Sequence, residues 1–124
     1  MLLRQKDKLT LTQIFSSVDV PIEVWAYGSR VNGTAHEGSD LDLVVRSKDL
    51  QKLPIAIFMQ LKEKLTESNI PIVVELFDWA RLPVNFHRNI KANHEVLYSN
   101  LQMIVNEPAD EYKTKKKTDK DSGK

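Results

Sequence analysis

The sequence predicts an α/β (α+β) fold, a small mixed β-sheet of three to five strands with helices packed on it. Three observations predict it. In some windows apolar residues recur at helical spacing, as in Leu9, Leu11, Ile14, Phe15 and Val18. In others they form short runs rich in β-branched and aromatic side chains, such as "IEVWAY" and "IVVELF". The two patterns alternate along the chain, with proline or glycine at the joints. The 124 residues, 41% of them apolar, suit one domain with one modest core.

Taken in order, the first helix covers roughly residues 7 to 17 and ends before Pro21. Residues 22 to 27 form a strand that stops at Gly28. "DLDLVV" at 40 to 45 is a second strand. Leu50, Leu53, Ile57, Phe58, Leu61 and Leu65 then lie along one face of a helix. Pro54 sits in its first turn, where a missing N–H costs little. "SNIP" is a turn, and residues 72 to 77 are a third strand. Pro83 starts a short helix carrying Phe86, His87 and Ile90 inward, and residues 95 to 99 are a last extended piece. The domain is therefore expected to span residues 1 to 105. From 106 to 124 the only sizeable apolar side chain is Tyr112, too little to offset the entropy of ordering, so a disordered, solubilising tail is expected.

Composition excludes several classes of function. A net charge of +1 provides no general basic field for nucleic acid. No cysteine is present, which removes thiolate nucleophiles and sulfur-based zinc sites and fits a reducing compartment. No apolar run approaches bilayer length, and the first residues turn charged at once, so the cytoplasm is expected.

The stretch "WAYGSRVNGTAHEGSDLDLVV" holds the candidate chemistry. Alternation along a strand puts Asp40 and Asp42 on one face, about 7 Å apart, with Leu41 and Leu43 on the other. Such a carboxylate pair suits a hard cation, magnesium or manganese, bound through oxygen. In the third strand Glu75 shares a face with Val73 and Phe77, and a carboxylate in such a run is costly unless paired or bound to metal. Asp78 falls on the opposite face and suits a cap of the next turn. Gly28 and Ser29 end a strand and lead into a turn or helix whose N–H groups can cradle phosphate oxygens. Arg30 is placed to add charge, and Ser39, beside Asp40, joins the phosphate-binding candidates. A plain Gly-Ser turn and a solvated Asp-x-Asp are the ordinary readings of each half alone; the combination describes a site for a metal–triphosphate. Arg46 and Lys48 stand at a strand exit, where charges are usually solvated. For Trp25, Trp79 and Tyr98 packing is the expected role, and His36, His87 and His94 lack metal-ligand spacing.

"GSRVNGTAHEGSDLDL" resembles the signature of the DNA polymerase β-like nucleotidyltransferase superfamily, and within it the minimal nucleotidyltransferases, the MntA-type antitoxins. The resemblance covers roughly residues 20 to 100 and implies that superfamily's fold. It also implies transfer of AMP from ATP to a tyrosine of a HEPN-family ribonuclease toxin, with release of pyrophosphate. Asp40, Asp42 and Glu75 would then hold two magnesium ions, and Gly28, Ser29 and Arg30 would bind the β- and γ-phosphates. Where the family usually carries aspartate this chain has Glu75, whose extra methylene moves the carboxylate by more than an ångström. A small-molecule acceptor, or an antitoxin that acts by contact alone, are the other readings. Either way a domain this small is expected to work in a complex with its partner, and as a homodimer too.

Overall fold

The hydrophobic runs read as strands assemble around β1 (Ile22–Tyr27), which pairs antiparallel with β2 (Leu41–Ser47) on one side and β4 (His94–Ser99) on the other. β3 (Val74–Asp78) lies parallel to β2, giving the sheet order β3-β2-β1-β4. The computed structural model describes residues 1–36 and 38–101; the tail expected at 106–124 lies outside them. Parallel neighbours need a crossover, and α3 (Ile55–Glu67) supplies it between β2 and β3. α1 (Gln5–Ser16) precedes β1, the four-residue α2 (Ser29–Asn32) follows it, and α4 (Val84–Ala92) connects β3 to β4.

Alternation decides which face each helix covers. Val24, Ala26, Leu41, Leu43, Val45 and Leu76 point to one face, where Leu11 and Phe15 of α1 and Leu61 and Leu65 of α3 close the main core. Three of the helically spaced apolar residues stay out of the core. Leu9 is exposed, because it lies about 200° around the helix from Leu11. Leu50 is also exposed; it belongs to a short turn before α3 in which Asp49 and Leu50 take left-handed backbone, φ 62° and 56°. Phe86 stays half exposed, and the neighbouring His87 takes the inward place instead.

The other sheet face is covered only in part. Trp25 and Val44 meet Trp79 and Ile90 from the turn and helix after β3, with Tyr27, Phe77 and Leu82 packed around them. Arg46 fills the corner of this layer, its guanidinium 3.9 Å from the Trp25 ring and 4.5 Å from that of Trp79. The two indoles meet edge to face, and each outer face is stacked by a histidine, His94 on Trp25 and His87 on Trp79. Arg46 also pairs with Glu23 at 3.5 Å, and its Nε has no hydrogen-bond partner among the described residues. The flat cation is held by ring faces. It is not the solvated charge expected of a strand exit.

Asp78 ties the crossover to the sheet. Its buried carboxylate accepts from the Leu53 N–H at 2.9 Å, the Ala80 N–H at 3.2 Å and the Arg81 Nε–H at 3.1 Å. Asp78→Ala would strand the buried Leu53 donor and release the turn that carries Trp79. We expect a loss of about 2–4 kcal/mol, measured by denaturant unfolding, with a melting temperature lower by on the order of 10 °C.

Candidate active site

Sheet register brings the acidic residues together. Tyr27 on β1 stands opposite Asp42 on β2, and Asp42 stands opposite Glu75 on β3. His94 on β4 stands opposite Tyr27, so one row crosses all four strands: His94, Tyr27, Asp42, Glu75. These side chains share the partly covered face, because Trp25, Val44 and Phe77 two residues along each strand belong to its apolar layer. Asp40, just before β2, continues the line of Asp42 and borders a cleft of about 790 Å³ that also touches Gly38, Arg30, Leu2, Ile72 and Val73. Glu75 is exposed and Asp42 half-buried.

Gly28 is required where it stands. Its φ is +83°, a backbone region side chains avoid, and a Cβ there would come within 2.6 Å of the Asp42 Oδ2. The backbone at the end of β1 therefore lies directly against the Asp42 carboxylate. α2 begins at the next residue, Ser29, which is half-buried. Arg30 is buried and holds the following loop: its Nε donates to the Ser39 carbonyl at 2.9 Å, and its guanidinium also donates to the Leu2 carbonyl. Ser39 Oγ accepts from the His36 N–H at 3.1 Å, and the Ser39 N–H donates to the His36 carbonyl at 3.0 Å. Two expected phosphate ligands, Arg30 and Ser39, are thus engaged in setting the loop that delivers Asp40.

The chain as a whole is similar to known proteins in sequence and in fold. The family model "Polymerase beta, Nucleotidyltransferase" matches residues 10–102. The chain belongs to that family. It is 40% identical over 74 residues to the probable protein adenylyltransferase MntA of Haemophilus influenzae, a match covering 60% of this chain and 63% of that protein. Two solved structures share the nucleotidyltransferase fold at 19% identity: a toxin-antitoxin with AMP-PNP (TM-score 0.61, 78% of this chain and 77% of that one) and a mutant of the toxin-antitoxin MntA-HpeT (TM-score 0.59, 82% and 77%).

Within this nucleotidyltransferase fold the electrostatics of the row are those of crowded like charges. Burial first, and then the charges of Glu75 and Asp40, push the Asp42 carboxyl above the usual carboxylate range. The Tyr27 phenol is pushed up to about 12, by burial first and then by Asp42 and Glu75. Among the described residues no three acidic or imidazole side chains already form a metal-holding group. The donor chemistry nevertheless fits a hard divalent cation: oxygen ligands, a surplus of negative charge, and a backbone cradle at Gly28 that a Cβ would fill. Sequence reasoning missed Tyr27 and His94 as members of the row. The alternation of "IEVWAY" could have flagged Tyr27, whereas His94 enters only through the pairing of β4.

The raised Asp42 carboxyl has a consequence for stability. A carboxyl whose pKa rises on folding favours the fold when protonated, fully so below its unfolded value, and that contribution is lost as pH climbs through the raised folded value. At neutral pH the ionised Asp42 carboxylate therefore works against folding. Asp42→Asn should raise the melting temperature near neutral pH in EDTA by a few degrees, and the gain should vanish on acidification. A neutral-pH melting temperature at or below that of the unaltered chain would contradict this reading.

Proposed function

We propose that this chain transfers AMP from ATP to a tyrosine hydroxyl of a HEPN-family ribonuclease toxin, releasing pyrophosphate and neutralising the toxin in the cytoplasm. The observation that carries the reading is the pairing of Asp42 with Glu75 on an open sheet face, with the Gly28 backbone against Asp42. The relative described as a protein adenylyltransferase and the toxin–antitoxin folds support the direction of the reading. The chain spans 63% of the length of the curated relative it matches.

Asp40, Asp42 and Glu75 are the residues that would hold magnesium, which supplies charge neutralisation of the triphosphate and acidifies the acceptor hydroxyl. The chain's own groups account for the rest. Gly28 and Ser29 receive the terminal phosphates from the β1 side of Asp42. Glu75, exposed on β3, faces the incoming hydroxyl and accepts its proton. The acceptor oxygen then bonds to the α-phosphorus as the bond to the β-phosphate bridging oxygen breaks. Exposed Val73, next to Glu75 on the same face, leaves room for a protein acceptor.

The test is to incubate the chain with α-labelled ATP, magnesium and the protein encoded by the neighbouring gene. We expect label on a tyrosine of that protein, and a fall of about a thousandfold in Asp42→Asn. Inhibition of the neighbour without label, unchanged in Asp42→Asn, would show that occlusion alone does the work. Label passing only to small alcohols would overturn the protein acceptor.

A further inference from the structure

The row across the sheet contains a group that the proposed reaction leaves idle. Tyr27 stands directly beside Asp42, on the side away from Glu75. Its ring leans on the layer built by Trp25, Val44, Trp79 and Ile90, which fixes its direction. Its hydroxyl has no hydrogen-bond partner among the described residues. A half-buried phenol with a held ring and a free O–H is a donor without an acceptor.

Stereochemistry assigns what it would meet. Displacement at phosphorus is in line, so entering and leaving oxygens occupy opposite sides of the α-phosphorus. In the reading above, the acceptor enters from Glu75 on β3. The pyrophosphate must then depart on the far side of Asp42, toward β1, and Tyr27 is the β1 residue of the row. We propose that Tyr27 is a further catalytic residue, whose phenol donates a hydrogen bond to the departing pyrophosphate as charge gathers on the oxygen that bridged the α- and β-phosphates. No proton is transferred: the phenol stays protonated, and the pyrophosphate leaves with the bond electrons. Such a donor acts mainly in the transition state, where the charge appears.

The inference rests on the proposed transfer reaction, and the experiment separates the two. Tyr27→Phe keeps the ring and removes only the hydroxyl. Transfer of α-labelled AMP to the neighbouring-gene protein is measured with ATP and with two analogues, β,γ-difluoromethylene-ATP and β,γ-methylene-ATP, whose leaving groups differ in basicity. We expect kcat for ATP to fall about 10- to 100-fold with KM little changed. The rate ratio between the difluoromethylene and methylene analogues should also grow in Tyr27→Phe, because the poorer leaving group loses more without a donor. A merely structural role would not move that ratio. Tyr98→Phe, which removes a phenol packed beside Phe15 on the other face, is the control and should match the unaltered chain. Equal rates and equal ratios for Tyr27→Phe and the unaltered chain would overturn the inference and leave the transfer reaction standing. Absence of transfer by the unaltered chain would overturn both.

Discussion

The structure depends on the parallel pairing of β2 with β3, which sets the half-buried Asp42 beside Glu75. Like charges on adjacent strands oppose the sheet that carries them, and the Asp42 carboxyl is pushed up by burial first and then by the Glu75 and Asp40 charges. The surrounding architecture makes the repulsion tolerable: the main core on the other face is apolar, and the segment leading into α3 is tied to the end of β3 by the Asp78 clasp at Leu53. Gly28 completes the arrangement, since any larger residue would push into the Asp42 carboxylate.

Half of the candidate-site face is closed and half is open, and the division has a physical cause. Trp25, Trp79, Arg46, His87 and His94 form one stacked assembly that anchors α4 over the far end of the strands. His87 holds the Trp79 carbonyl at 2.7 Å, and His94 Nδ1 donates to the last carbonyls of α4, Ile90 and Lys91, at 3.1 Å each. The rings stop at Tyr27. Beyond it the carboxylates meet solvent, which suits chemistry on a large acceptor better than on a molecule that must be enclosed.

Much of this was legible in the sequence, but unevenly. The period of two in "DLDLVV" and "VVELF" is enough to put Asp42 and Glu75 on one face, and to send Asp78 to the other, where it caps the turn after β3. Which residue stands directly opposite which is a matter of register, and register is set by long-range packing. For that reason Tyr27 and His94 were not seen as neighbours of the carboxylates. Arg46 misled for a related cause: nothing local distinguishes a solvated arginine at a strand exit from one enclosed by two indoles more than 20 residues away on either side. Arg30 looks like a phosphate ligand by position; in the fold it is buried and donates to the carbonyls of Ser39 in the loop and Leu2 in the N-terminal segment. Leu9, Leu50 and Phe86 show the limit of helical spacing, which identifies a helix better than it identifies the buried side.

The central claim, that Glu75 and Asp42 share one electrostatic site, is tested most directly by titrating the Asp42 carboxyl with carbon-detected NMR in the unaltered chain and in Glu75→Gln, without metal. The account predicts that the Asp42 pKa falls toward the ordinary value of about 3.9 when the Glu75 charge is removed, while retaining the part of its elevation due to burial. An Asp42 titration that is the same in both proteins would contradict it.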